Sequence, residues 1–308
     1  MSIAPVASFR GSPTARAIAC YSVLVIAIEL LLTTVMNRVG QGSAWATPIM
    51  LGIMWTPGLV AIGLQLATSR TLRGFGWKPG PLRWWALAYL FPLIYGGLAL
   101  VLAQALGGGS IDFERWSKGA VRWGMPEHAL FGMLIQMTIF MIPGIVTGLG
   151  EEIGWRGFMV PRLARYFGFW SIVNISFVVW LAFHLPGMLI GGYHGEGTPL
   201  WYSLICFSVL LYPATVLMTW LRLRSGSLWP CVIHHAAHNC FIQVMWHSAF
   251  KPNQLTPWLL GEFGILLPVL VSVMVTALIV KGGIPSVSAD GEPDVRGRST
   301  AGAIPAAA

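Results

Sequence analysis

The sequence is short of charged residues: Asp, Glu, Lys and Arg together make up only 10% of its 308 residues. A soluble domain usually carries about 25% charged residues, whereas here the hydrophobic fraction is 56% and the mean hydropathy is +0.69. So little charge cannot cover a surface that faces water, which excludes an ordinary soluble protein. We therefore expect an integral membrane protein of the all-α class, a polytopic bundle of membrane helices.

Two further absences narrow the possible cofactors and partners. The sequence has no Cys-x-x-Cys pair, and its four cysteines lie in apolar runs, so we expect buried free thiols and neither disulfides nor a zinc cluster. It also has no basic cluster that alternates with aromatic residues on a polar segment, so nucleic acid is not expected as a partner. The net charge of +8 is assigned to loops that bind the head groups of membrane lipids.

Runs of about 20 mainly apolar residues are long enough to cross a bilayer as helices. We expect about eight transmembrane helices, near residues 17–37, 45–67, 84–106, 128–150, 169–190, 200–221, 228–249 and 257–280. No signal-peptide cleavage site directly follows the first run, so that helix is expected to stay uncleaved. Residues 1–281 are expected to form a single transmembrane domain, and the Gly-, Pro-, Ser- and Ala-rich residues 282–308 a disordered tail.

The distribution of Lys and Arg predicts the orientation of the bundle. If the N-terminus is cytoplasmic, 14 of the 19 basic residues fall on the cytoplasmic side and 5 on the outer side. Loops rich in basic residues are typically cytoplasmic. Both termini, including the tail, are therefore expected to be cytoplasmic, and the membrane is expected to be a bacterial inner membrane.

Ionisable residues inside a membrane span cost roughly 2.5–3.5 kcal/mol each at mid-helix. The few that occur here therefore indicate where function should be sought. The ionisable residues in the predicted spans, listed together with the neighbouring amide Asn239, are Glu29, Glu151, Glu152, Arg156, His184, His234, His235, His238, His247 and Glu262. We expect Glu29 to be a protonated or paired carboxylate of the core and Glu262 to lie near an interface, both with structural roles.

The segment GLGEEIGWRGFMVPRL at 148–163 places two adjacent carboxylates after an uncharged run. On a helix, Glu152 and Arg156 form an i,i+4 pair on one face, so Arg156 would neutralise and orient Glu152. Glu151 lies about 100° away around the helix and would be left free, as a general base requires. The alternative is that all three charges lie at a helix end and reach for the membrane interface.

His184 precedes a Pro-Gly pair at 186–187, which would end or bend the fifth helix just after it. It would then lie at a helix break within the membrane. Such a histidine either carries a function or is a hydrogen-bonded core residue.

The segment VIHHAAHNC at 232–240 carries two i,i+4 pairs on different helix faces, His234 with His238 and His235 with Asn239. The glutamate of an HExxH zinc helix is absent from it. The pair His235 and Asn239 could donate hydrogen bonds to a developing oxyanion, or His235 could ligate a metal. A packing or supporting role is expected for His234 and His238.

Three elements occur in a fixed order: Glu151-Glu152 followed by Arg156, Trp180 four residues before His184, and His235 four residues before Asn239. They resemble the motifs of the CPBP family of intramembrane endopeptidases, which includes the CAAX prenyl endopeptidases and the Abi-type bacteriocin-processing or immunity relatives. The resemblance covers residues 148–163, 177–187 and 226–240. One departure is Trp180, which stands where Phe is common in the second motif.

The resemblance implies an enzyme that hydrolyses a peptide bond in a membrane-associated protein or peptide, prenylated or not. Glu151 would activate water with help from His184. Glu152 and Arg156 would support it, and His235 and Asn239 would complete the site. A zinc ion on Glu151, His184 and His235 is one possible arrangement, and metal-free acid–base catalysis by the same residues is the other.

Two other functions stay open at this point. A family member without peptidase activity could act in bacteriocin immunity or as a membrane partner. A proton-coupled transporter could use the same Glu and His residues as a relay, although no internal repeat of the kind common in transporters is found.

The predicted helix ends place the two halves of the site at different depths. Glu151 would lie at the cytoplasmic end of the fourth helix, while His184 lies 15 residues into the fifth, about 22 Å deep at 1.5 Å per residue. We therefore predict that the fourth helix extends at least to Arg156. That extension would bring both carboxylates inside the membrane and close to the histidines.

Overall fold

A computed structural model of the chain describes residues 9–285, and within them the polypeptide is helical almost throughout. The all-α prediction is confirmed. The α-helices are α1 (Pro13–Val39), α2 (Ala46–Ser69), α3 (Leu82–Ala105), α4 (Glu114–Val121), α5 (Ala129–Thr138), α6 (Met141–Glu152), α7 (Val160–Leu163), α8 (Phe169–Ile190), α9 (Leu200–Ser225), α10 (Trp229–His238), α11 (Thr256–Leu259) and α12 (Leu266–Gly282). Two π-helical segments, Ile153–Met159 and Asn239–Trp246, follow α6 and α10 without a break. One antiparallel strand pair, β1 (Gly109–Ile111) with β2 (Phe250–Pro252), joins two loops.

Six helical stretches of the described chain are long and apolar enough to cross a membrane, so the chain is an integral membrane protein. They are α1, α2, α3, the continuous stretch Ala129–Leu163, α8 and α9. The last two predicted spans are also helical but differ from the prediction. The seventh is the ten residues of α10 followed by an eight-residue π segment. The eighth begins at Leu266 and not near 257, because Gly261 with φ of +80° interrupts the chain after α11.

The fourth span reaches well beyond its predicted end. Helical backbone continues from α6 through the first π segment to Leu163, so the prediction that it passes Arg156 is confirmed. Glu151 lies 12 residues before Leu163, and His184 lies 15 residues after Phe169. At about 1.5 Å per residue, both are roughly 20 Å from the same end of the bundle. The difference in depth suggested by hydropathy therefore disappears.

Glycines allow α6 to approach its neighbours closely. A Cβ atom on Gly144 would lie 3.1 Å from the Ala236 carbonyl oxygen, and one on Gly148 would lie 3.4 Å from the His235 Cβ. On the opposite side, a Cβ atom on Gly150 would lie 2.8 Å from the Met54 carbonyl oxygen. These contacts hold α6 between α10 and α2, and they bring the end of α6 against the histidines of α10.

Some local predictions need correction. The Pro-Gly pair at 186–187 does not end the fifth helix, since α8 continues to Ile190 with Pro186 inside it. All four cysteines are free and three are buried, but Cys20 is exposed on the outside of the bundle. The predicted disordered tail, 282–308, lies outside the described residues from position 286 onward.

The packing of Gly150 leads to a test of the fold. Gly150→Ala should destabilise the protein by about 1–3 kcal/mol, because the added methyl group overlaps the backbone of α2. Thermal unfolding in detergent, followed by tryptophan fluorescence, measures the change. Gly63→Ala is the matched control: Gly63 also lies within a helix, but a Cβ atom there meets nothing within 4 Å. An equal effect of the two variants would contradict the close α2–α6 contact.

Candidate functional site

The two adjacent carboxylates end α6 inside the bundle. Glu151 is 2% exposed, Glu152 is fully buried, and Arg156, one turn later, is 1% exposed. The alternative in which these charges reach for the membrane interface is therefore wrong. The structure buries all three and surrounds them with side chains from α8 and α10.

Glu152 is held by two cationic or potentially cationic partners. Arg156 Nη1 donates to Glu152 Oε1 at 2.9 Å, which is the predicted i,i+4 pair. His235 Nδ1 lies 2.9 Å from the same oxygen and donates to it, because a carboxylate accepts hydrogen bonds. The Arg156 guanidinium also lies over the Trp180 ring, 4.2 Å from its centroid. Glu152 is thus a fixed anchor between two helices.

Glu151 has a different environment. Its Oε2 accepts hydrogen bonds from the indole nitrogens of Trp155 and Trp180, both at 3.1 Å. Its Oε1 lies 3.8 Å from His235 Nε2. The helical spacing suggested that Glu151 would be free. In the structure it is only partly so, and like Glu152 it faces His235. One oxygen is fixed by two donors, and the other faces the imidazole just beyond hydrogen-bond distance.

The charges of this cluster set its proton count. The cluster contains two carboxylates, Glu151 and Glu152, and one permanent cation, Arg156. It is therefore neutral only if it holds one additional proton. Burial of an unbalanced charge is strongly unfavourable. Glu151 and His235 face each other without a direct hydrogen bond.

His184 presents one nitrogen in a defined state. Its Nδ1 lies 2.9 Å from the Trp180 carbonyl oxygen, and a carbonyl only accepts, so Nδ1 carries the hydrogen. In the neutral imidazole, Nε2 is then left as an acceptor. The ring packs edge-on against Trp180, with 5.9 Å between ring centroids. It borders the same cavity as Glu151.

A cavity of about 560 Å³ lies above these groups. Glu151, Trp180, His184, His235 and Asn239 all contribute to its lining. The first and third predicted motifs are thus brought together with the second, and His235 and Asn239 face the same space, as their i,i+4 spacing predicted. Another cavity, about 580 Å³ beside α9 and α12, contains no carboxylate, imidazole or basic side chain in its lining.

A second polar cluster in this cavity was missed by sequence reasoning. Glu262, expected near an interface, is 8% exposed and pairs with His238 Nε2 at 2.9 Å. Tyr193 and Gln243 donate to the same carboxylate at 2.6 and 3.2 Å, and the Tyr95 hydroxyl is hydrogen-bonded to His238 Nδ1. The sequence signal that could have indicated this cluster is the single carboxylate, Glu262, in the apolar run LLGEFGILL at 259–267. The partners could not have been found, because they come from distant segments.

The remaining polar candidates lie outside the carboxylate cluster. Glu29 is 3% exposed, accepts from Thr33 at 2.7 Å and lines the outer part of the cavity. His234 Nδ1 lies 3.2 Å from the Ala88 carbonyl oxygen, which fits the expected supporting role. His247, at the end of the second π segment, is exposed and does not line the cavity.

Both π-helical segments begin directly beside site residues, one after Glu152 and one after His238. A π-helical turn holds an extra residue, so side chains after it are rotated relative to an α-helix, and such turns are frequent at functional sites. Trp155 and Arg156 lie within the first segment and Asn239 opens the second. Sequence periodicity assumes 3.6 residues per turn and cannot reveal this change.

The zinc ion expected on Glu151, His184 and His235 stays a prediction. Among residues 9–285, no group of three His, Cys, Asp or Glu side chains is placed to hold an ion. Each member of the expected set keeps one atom without a hydrogen-bond partner: His184 and His235 donate from Nδ1 to a carbonyl and to Glu152, which leaves Nε2 of each ring, and only Oε2 of Glu151 accepts from the two indoles. We assign no chemical step to a metal.

The central part of the chain is similar to a known protein family. Residues 133–241 match the family described as type II CAAX prenyl endopeptidase Rce1-like. The matched region begins within α5 and ends within the second π segment, and it contains all six residues of the predicted site. A search of the curated proteins gives no match.

The buried ion pair gives a stability test. Arg156→Met should destabilise the protein by about 3–5 kcal/mol, because Glu152 is left buried without its permanent cation. Combining it with Glu152→Gln should recover part of the loss, since the second change removes the unbalanced charge. Thermal unfolding in detergent measures both. Arg115→Met, at an exposed position, is the control and should stay within about 0.5 kcal/mol of wild type.

A double variant no more stable than Arg156→Met alone would show that the guanidinium acts through packing on Trp180 and not through the charge of Glu152.

Proposed function

Because residues 133–241 match the type II CAAX prenyl endopeptidase Rce1-like family, we propose that the chain is an intramembrane endopeptidase that hydrolyses a peptide bond of a membrane-associated protein or peptide. One observation carries the mechanism: Glu151 Oε1 and His235 Nε2 face each other at 3.8 Å on the floor of the cavity. A polar contact of this length suits a bridging water molecule.

In this proposal Glu151 is the general base. Its Oε2 is fixed by the indoles of Trp155 and Trp180, so Oε1 is the oxygen that takes the proton from water. The water oxygen forms a bond to the carbonyl carbon of the substrate. Glu151 then passes the proton to the leaving amine as the C–N bond breaks. A positioned acid–base group of this kind contributes roughly 10²–10⁴-fold in rate.

The negative charge that develops on the carbonyl oxygen needs hydrogen-bond donors. Asn239 lines the cavity beside His235, and its side chain has no hydrogen-bond partner among the described residues. Its amide is therefore available to donate to the oxyanion. His184, with Nε2 as an acceptor, is placed to orient the attacking water or the leaving amine.

The rest of the cavity wall is mainly apolar, with Met, Phe and Leu side chains from α1, α2 and α9. Such a wall suits an apolar side chain or a lipid group attached to the substrate. Whether a prenyl group is required is decided by comparing matched peptides with and without it.

The first prediction for activity concerns Glu151 and Asn239. Purified wild-type protein should cleave at least one member of a panel of prenylated and unprenylated membrane-associated peptides, detected by mass spectrometry. Glu151→Gln should lower kcat by about 10²–10⁴-fold, and Asn239→Ala by about 10²–10³-fold. His235→Ala should also abolish most activity. The matched control Glu196→Gln, at an exposed loop position, should leave it unchanged.

Cleavage that persists in both Glu151→Gln and His235→Ala would refute this assignment of roles. Absence of cleavage by the wild type across the panel would argue against peptidase activity altogether.

The second prediction concerns Trp180, which stands at a position where the motif commonly has Phe. Unlike Phe, its indole nitrogen can donate a hydrogen bond to Glu151. Trp180→Phe keeps an aromatic ring but removes one donor to Glu151. A hydrogen bond to a charged group contributes about 1.5–3 kcal/mol, so kcat should fall about 10- to 100-fold. KM should change little, as expected for a positioning residue, whereas the unfolding temperature should also fall, because the same hydrogen bond stabilises the folded protein. Trp155→Phe removes the other donor to the same oxygen and should behave alike. A change confined to KM would refute the role in positioning Glu151.

A further inference from the structure

The cavity is built from one half of the bundle. α1 contributes Glu29, Thr33 and Met36, all from its second half, and α8 contributes residues from Trp180 to Gly187. The loops that border the cavity follow the ends of the same helices: Gln41 after α1, Tyr193 after α8. The lining of the described cavity thus runs from Glu151 at its floor to the face that carries the loops 40–45 and 191–199.

The opposite half of the bundle is closed directly beneath Glu151. Every residue from Glu151 to Val160 is buried. Phe75, 1% exposed, comes from the loop after α2 and packs against the Phe158 ring. Arg222 donates from Nε to the Arg156 carbonyl oxygen at 2.9 Å. Below Glu151, in the direction of Leu163, side chains from the loop after α2, from α9 and from the first π segment therefore close the bundle.

The two faces also differ in charge. Eleven of the described Lys and Arg residues lie on the closed half without a described acidic residue among them: Arg10, Arg16, Arg70, Arg73, Lys78, Arg83, Arg162, Arg165, Arg222, Arg224 and Lys281. The open face carries basic and acidic residues together: Arg38, Arg115, Lys118, Arg122 and Lys251 with Asp112, Glu114, Glu127 and Glu196. Because basic residues are retained on the cytoplasmic side, the closed face is the cytoplasmic one.

We infer that the cavity opens to the outer, non-cytoplasmic side of the membrane. If the proposed function holds, the substrate is a peptide segment that reaches the site from the outer side. The wall also opens sideways near Met50 and Phe140, which are 45% and 39% exposed. A segment lying in the outer leaflet could enter there. A protein that presents its cleavage site only in the cytoplasm would not reach Glu151.

The experiment measures access and requires no turnover. In a background with the four cysteines replaced by Ser, single cysteines are introduced as Gln41→Cys, Thr147→Cys and Lys78→Cys. Gln41 lies at the mouth of the cavity, Thr147 lines its wall, and Lys78 is exposed on the basic face. Spheroplasts of a bacterial expression host are treated with a membrane-impermeant quaternary-ammonium methanethiosulfonate. Thiols that remain free are then counted by a polyethylene-glycol maleimide gel shift after solubilisation.

We expect pretreatment of intact spheroplasts to abolish the gel shift at positions 41 and 147 and to leave it unchanged at position 78. Permeabilised membranes should lose the shift at all three. Blocking of position 78 with protection of 41 would overturn the orientation. Blocking of position 147 only after permeabilisation would overturn the direction of the cavity, and so would protection of 147 under both conditions. Since labelling does not depend on catalysis, an inactive but correctly labelled protein would count against the proposed function alone.

Discussion

Two adjacent carboxylates inside a membrane protein must be neutralised, and the rest of the site follows from that requirement. Arg156 and His235 meet on one oxygen of Glu152, each at 2.9 Å, and two indole donors hold Glu151. A buried charge that loses its partner is far more costly than a surface one. Each of these side chains is therefore needed where it is, and Glu151 is the member of the pair that lines the cavity.

The backbone around Glu151 and Glu152 also helps to bring their partner side chains close. Gly144, Gly148 and Gly150 bring α6 against α10 and α2, although glycine inside a helix typically costs about 0.5–1 kcal/mol relative to alanine. The π-helical segments carry Trp155 and Arg156, which contact the two carboxylates, and Asn239, which lines the cavity. Close approach and the π-helical segments together place groups from three helices around one cavity. Neither feature would be required by a bundle whose only task was to fill the membrane.

Much of the fold and part of the site could be predicted from the sequence, since an ionisable residue in an apolar run stands out by its cost. The helices were predictable from the apolar runs and the Glu152–Arg156 pair from its helical spacing, whereas the meeting of α6 with α10 was expected from the resemblance of their motifs to a known family. The donors from Trp155 and Trp180 and the cluster around Glu262 were not. They depend on tertiary contacts between distant segments, and Tyr193 or Gln243 carries no local signal. The helix ends also misled, because Glu151 and Glu152 lowered the hydropathy of a segment that is fully buried.

The solid packing from Glu151 to Val160 has a consequence for the membrane itself. A water-filled chamber lined by Glu and His residues could conduct protons if it reached both aqueous compartments. Here the described chain seals one end with buried aromatic and aliphatic side chains, so hydration of the chamber leaves the ion gradient across the bilayer intact. A transporter that works by alternating access would have to open this packed region in every transport cycle. The arrangement instead suits a reaction chamber whose reactants and products all use the same opening.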